Sequence, residues 1–228
     1  AAVYPGSVQL DIVQAASDWE ADYIAFAVRK KNWLKRTILG STVKDVIRQS
    51  DIPVFVYKEK RGGGVVDRLG GGAEEEEPFR VLYATSLQWE GDIIVDYIRD
   101  NTFKADEVAF LYVGRRAPDP VVEQQRVDRV EGQLEELRRS VGLSEERANG
   151  INLLCSARRQ IVKTAKRRSA DLVLLGKADS ISGSGPVLGS TAEEVSYNAP
   201  CSVLIIPRDI PAPAPSGESR TSRQGGAS

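Results

Sequence analysis

Apolar positions recur along this chain in two alternating rhythms. Residues 9–20 and 158–169 repeat apolar side chains at helical spacing, with Ile12, Val13 and Ala16 on one face and Ile161, Val162 and Ala165 on the other helix's matching face. Each stretch runs into a short continuous apolar segment, residues 23–28 (YIAFAV) and 172–175 (LVLL), as expected of a strand buried on both faces. A further helix is predicted from Ser41 and from Ser190, and a second apolar strand at 52–57 and 201–206. More elements lie ahead of the later set: a strand at 79–85 (FRVLYAT), a helix at 89–100 carrying Ile93, Ile94, Tyr97 and Ile98, and a strand at 108–113 (VAFLYV). A long amphipathic helix at 120–141 follows, with Val127, Val130, Leu134, Leu137 and Val141 on one stripe, and then a strand at 151–155. Strand–helix–strand alternation of this kind predicts an α/β fold with a parallel sheet and right-handed crossovers.

The two sets are copies. Laid over each other without a gap at an offset of 149 residues, segments 7–57 and 156–206 match at Ser7/Ser156, Ile12-Val13/Ile161-Val162, Ala16/Ala165, Ala21-Asp22/Ala170-Asp171, Val46/Val195 and Val54/Val203. The longest match is Leu39-Gly40-Ser41-Thr42 against Leu188-Gly189-Ser190-Thr191. Character holds where identity fails, as in VFVY against VLII. An internal repeat of this length marks a duplication. Residues 1–60 form the C-terminal half of a first copy, and 79–208 a complete five-stranded second one. Between them, RGGGVVDRLGGGAEEEEP (61–78) has the composition of a flexible, solvated linker rather than a phosphate loop, because no buried strand feeds into its glycines and no Lys-Ser/Thr follows. The last twenty residues, 209–228, carry too little apolar surface to order themselves. A half-copy of some fifty-five residues buries too little surface to stand alone. Upstream sequence or a second chain is therefore expected to complete it.

Composition narrows the chemistry. The net charge of −1 gives no electrostatic case for nucleic acid. No apolar run approaches the roughly 20 residues that span a bilayer, and the N-terminus lacks a signal-peptide layout, so the expected location is the cytoplasm. With no histidine, Ser-His-Asp and Cys-His catalysis and every histidine metal site are excluded. Methionine is absent too, so the chain is expected to be trimmed or cut from a longer one. Cys155 and Cys201, in apolar contexts, are expected to be small buried hydrophobes.

The pattern ADLVLLG…VLGSTAEEV…APCSVLIIP strongly resembles the universal stress protein family in its tandem form, over nearly all of 79–208 and the back half of a copy over about 3–58. The resemblance implies tandem flavodoxin-like domains, each a five-stranded, mainly parallel sheet with helices on both faces. It implies a non-enzymatic regulatory or dimerisation module whose final strands pair antiparallel across a dimer or pseudo-dimer axis. Members occur alone or as the cytoplasmic tails of membrane transporters, which would tether this chain through upstream sequence.

Nucleotide-binding members carry a glycine, two residues, a second glycine, nine residues, then Gly-Ser or Gly-Thr. Small residues let backbone N–H groups close on phosphates, and the following helix points its positive end at them. In GKADSISGSGPVLGST (176–191), Gly176 matches the first glycine and Gly189-Ser190, with Thr191 after them, the end; Asp179 replaces the second glycine and would repel a phosphate. Ser86 stands where binding members place an aspartate that contacts the base, and Val113 suits a nucleotide-lining position. ATP or AMP is the implied ligand, and no cofactor follows from the residues alone. In the first copy Ala27 and Lys30 replace both glycines, while Gly40, Ser41 and Thr42 remain.

Two further interpretations stay open. Ser190 with Glu193, or Thr191 with Glu194, has capping-box spacing, and a helix cap accounts for both copies with no ligand. A purely structural interaction domain would then follow. Alternatively the second copy hydrolyses nucleotide slowly, with Asp171 and Asp179 on a metal; but Asp171 has its twin in Asp22 beside a degenerate loop, which favours a structural role. No metal site and no catalytic residue is assigned.

Overall fold

The computed structural model describes residues 7–28, 39–58, 78–87, 93–99, 105–177 and 189–207. Lys30, Asp179, most of the 61–78 linker, the ends of the 89–100 helix and the 209–228 tail lie outside them. In chain order the elements are α1 (Val8–Asp18), β1 (Ile24–Val28), α2 (Ser41–Gln49), β2 (Val54–Lys58), β3 (Arg80–Thr85), α3 (Ile93–Arg99), β4 (Glu107–Gly114), α4 (Pro120–Ser140), β5 (Ala148–Leu154), α5 (Ala157–Arg167), β6 (Leu172–Gly176), α6 (Ser190–Asn198) and β7 (Ser202–Ile206). Shifted by 149 positions, α1 and α2 fall on α5 and α6 residue for residue, and β1 and β2 fall within one residue of β6 and β7.

All seven strands belong to one sheet, ordered β1-β2-β7-β6-β3-β4-β5. The second copy supplies the expected five, β5-β4-β3-β6-β7, all parallel. The sheet is seven-stranded rather than five-stranded because β2 pairs antiparallel with β7, Val54 opposite Ile205, Phe55 opposite Leu204 and Val56 opposite Val203. Phe55 and Leu204 are counterparts at the 149-residue offset, so a local twofold axis passes between them. Leaving either strand as an apolar edge would invite aggregation, and this pairing removes both edges at once.

Successive strand residues point to opposite faces, and the core divides accordingly. Val56, Val173, Leu175, Val203 and Ile205 meet α1, α2, α5 and α6 on one face. Phe55, Tyr83, Phe110, Leu172, Leu174, Leu204 and Ile206 form the other, where α3 and α4 pack through Ile94, Ile98, Val130 and Leu134. Burying each such side chain fully is worth about 1.5–3 kcal/mol.

The helices α1 and α5 stop two residues before their predicted ends, for the same reason in both copies. Glu20 and its counterpart Ser169 take left-handed backbone (φ 49° and 52°), so the N–H of Ala21 reaches back to Ala16 O and that of Ala170 to Ala165 O, each 2.9 Å. After α4, Gly142 (φ 70°) makes the turn that a side chain would strain. The β5 strand starts three residues before its predicted position, because Ala148, Asn149 and Gly150 pair with Val108, Ala109 and Phe110 despite their weak strand propensity. It ends at Leu154, and Cys155 (φ 92°) turns out of the sheet. Cys201 is buried as expected, whereas Cys155 is exposed because it lies past the strand end; neither forms a disulfide. No helix among the described residues is long and apolar enough to cross a membrane.

Candidate functional site

In the second copy the chain runs from β3 outward to β4 on one side and returns to β6 on the other. Crossovers leave in opposite directions at that point, which opens a crevice outside the carboxyl ends of β3 and β6. The sequence-predicted positions converge on this end. Thr85 closes β3, its Oγ1 accepting from Leu87 N at 2.9 Å, and Ser86 is exposed in the turn between them. Val113 is half-buried near the end of β4. Gly176 closes β6, paired with Ile206, and the next residue's N–H donates to Ile206 O at 2.8 Å.

The helix α6 begins at the same end, and its start answers the capping question. Gly189 is the N-cap, with no side-chain oxygen to give to the first turn. Ser190 is exposed and Thr191 half-buried inside the helix, one and two positions too late to cap it. Of the two acids in the capping-box spacing, Glu193 pairs with Lys44 at 2.9 Å and Glu194 accepts from Asn198 Nδ2 at 2.7 Å. The reciprocal capping-box bonds are thus not made among the described residues. Backbone N–H groups at a helix start without a capping side chain carry partial positive charge and are open to an anion.

By contrast, α4 starts at the same edge and is closed. Asp119 caps it, accepting from Val121 N (2.8 Å) and Val122 N (3.0 Å), with Pro120 in the first turn. Glu123 accepts from Ala117 N at 2.8 Å and from Arg126 through two bonds of 2.8 and 2.9 Å, which pins the β4–α4 loop to the helix. The Arg126 hydrogen bond, then the Ala117 N–H, hold the Glu123 carboxyl down at about 2. Arg126 also lies against Gly114, where a Cβ would stand 3.0 Å from its Nη1 and 2.8 Å from Tyr112 Cε1. This loop clamp escaped the sequence reading; Asp119-Pro120 was its one legible signal.

The described residues of the first copy bring together less of the motif. Ala27 is exposed on β1, Gly40 is the N-cap of α2 with open space around it, Ser41 is exposed and Thr42 half-buried. Among the described residues β1 pairs with β2 alone, so no strand stands where β3 stands beside β6. No group of three or more acidic or cysteine side chains among the described residues could hold a metal ion.

The sequence model of the universal stress protein family matches residues 1–58 and 81–207. No curated protein sequence matches the chain. Among solved structures, a functionally unknown protein from Pseudomonas aeruginosa PAO1 superposes with a TM-score of 0.66 at 18% identity, over 90% of this chain and 69% of that one. A universal stress protein from Archaeoglobus fulgidus DSM 4304 gives 0.61 at 19% identity, over 88% and 66%. A universal stress protein in complex with cAMP covers 57% of this chain and 98% of its own, at 15% identity and a TM-score of 0.45.

Proposed function

The chain belongs to the universal stress protein family, and from that premise we propose that it is a non-enzymatic regulatory module with an altered adenine-nucleotide site confined to its second copy. Residues 1–60 act as the C-terminal half of a first copy and 79–208 as the complete second one. The observation that carries the proposal is the start of α6: a glycine N-cap, with no capping side chain, placed at the β3/β6 crossover where α/β sheets take their ligands. This reading assigns the nucleotide to Ser86, Val113, Gly176, Gly189, Ser190 and Thr191, with Asp179 between Gly176 and Gly189 in sequence.

The proposed site is handicapped by charge. A carboxylate a few ångströms from phosphate oxygens costs on the order of 1–3 kcal/mol at effective dielectrics of about 20 to 80. Binding is accordingly weak. Calorimetric titration with ATP and magnesium tests this. Weak binding that Ser190→Ala reduces supports the proposal; no affinity in either the parent chain or Asp179→Gly overturns it and leaves an interaction domain without ligand.

A further inference from the structure

The local twofold axis that relates the two copies passes through a second pair of counterparts besides Phe55 and Leu204. Lys44 of α2 and Glu193 of α6 stand at the same position of the repeat, 149 residues apart, and they touch: Nζ to Oε1 is 2.9 Å. The Lys44 ammonium also sits 5.0 Å from the centroid of the Tyr197 ring, on α6 as well. A residue on a twofold axis meets its own counterpart. Two first copies paired this way would therefore set Lys44 against Lys44, and two second copies would set Glu193 against Glu193.

We propose that this opposite-sign pair makes the β2/β7 face selective: it fits the other copy of the repeat and rejects a like copy from a second chain. Two lysines fasten the face around that pair. Lys58, buried at 2% exposure, donates to Ala199 O (2.9 Å) and Tyr197 O (3.2 Å) across the axis, and its counterpart is Pro207, which cannot donate. In the other direction Lys177 donates to Ser50 O at 2.8 Å, and its counterpart is Val28. Ser50 and Ala199 are counterparts at the C-caps of α2 and α6, and each receives a lysine from the opposite copy. A second copy paired with its like would lose Lys58 but would bring Lys177 to the Ala199 carbonyl, so these lysines fasten either pairing and the Lys44–Glu193 pair alone makes the choice. Charge pairs at such positions choose partners by repelling the wrong one as much as by attracting the right one.

The test uses the full chain and exchanges signs. Lys44→Glu places two acids at the axis and Glu193→Lys two bases, so each single variant weakens its internal pairing, while the double reversal Lys44→Glu/Glu193→Lys restores it. Amide exchange in β2 and β7 should quicken about fivefold or more in each single variant and return to the parent rate in the double reversal. Mixing the two single variants should give a two-chain complex, seen by light scattering at concentrations of tens of micromolar to about 1 mM, the range in which tethered and separate pairing compete. Neither variant alone should form it, and added salt should dissolve it. A double reversal that exchanges as fast as the singles, or a mixture with no complex beyond that of the parent chain, overturns the proposal.

Discussion

Leu172 and Tyr23 occupy the same position of the repeat, Leu172 as the first residue of β6 and Tyr23 just ahead of β1. Leu172 is fully buried, whereas Tyr23 keeps 47% of its surface exposed. Strand β6 lies between β3 and β7, and every residue of LVLL is buried; β1 has β2 on one side, and its burial alternates. Helices repeat the contrast. Ile161 of α5 is 3% exposed, and its counterpart Ile12 is only partly buried. The same apolar pattern therefore gives two different cores. Apolar pattern sets which residues can be buried, and neighbouring elements set which of them are.

Truncating the two counterparts should separate these contributions most strongly. Leu172→Ala removes a side chain packed between Phe79, Val81 and the α3/α4 layer and is expected to cost about 2–5 kcal/mol. Tyr23→Ala removes an edge contact with Phe55, at 6.5 Å between ring centroids, and is expected to cost about 1 kcal/mol. Urea unfolding of both variants measures the difference; equal losses would mean that β1 has a neighbour in solution comparable to β3.

The same contrast explains what the sequence disclosed. Continuous apolar runs located six of the seven strands to within two residues. The seventh, β5, was misplaced at its start because Asn149 and Gly150 carry no strand signal and are held by pairing with β4 alone. The antiparallel β2–β7 junction followed from the repeat together with the family resemblance. The Lys44–Glu193 contact and the Glu123–Arg126 clamp did not, since neither carries any local pattern. At the candidate site, Gly189 and Ser190 were found from spacing, but that the helix starts at Ser190 with Gly189 as its N-cap, and that Lys44 and Asn198 take up Glu193 and Glu194, is set by the fold.

The proposed site and its first-copy counterpart can be compared in the same manner. Asp179→Gly should tighten ATP binding about tenfold, equivalent to 1.4 kcal/mol, by removing the carboxylate from the phosphate loop. Its counterpart change, Lys30→Gly, should leave ATP binding unaltered, since among the described residues β1 pairs with β2 alone. Calorimetry on the two variants reads both effects. Tightening by Lys30→Gly would place a working site in the first copy.

Acid should expose a further difference, because the helix α4 belongs to the second copy alone. Glu123 is held at about 2 by Arg126 and the Ala117 N–H, and Glu135 at about 2 by Arg138 and then Arg139. Both lie below the ordinary 4.5. A depressed carboxyl stabilises the fold above its unfolded value and ceases to do so as pH falls through its folded one. Loosening of α4 is therefore expected between about pH 4.5 and 2, modest because exposed ion pairs are screened. Arg126→Gln should flatten the Glu123 part of that dependence, as read from amide exchange in residues 115–125 over the same pH range.

The smallest expected effect tests the exposed face of the first copy. Trp19, the C-cap of α1, is 74% exposed, and Val8 and Leu10 on the same helix are 62% and 55% exposed. The counterpart of Trp19 is Arg168, so Trp19→Arg installs the residue that the second copy tolerates at this position. It leaves little apolar contact to lose, and it brings a cation to a helix C-terminus beside Asp18, Glu20 and Asp22, an arrangement worth a few tenths of a kcal/mol. The net change in stability should lie within about 0.5 kcal/mol of zero, as for most surface substitutions. A loss above about 1 kcal/mol, growing with protein concentration, would mean that this face is covered in solution by another chain. The contrast between Tyr23 and Leu172 would then mark an interface rather than an open edge.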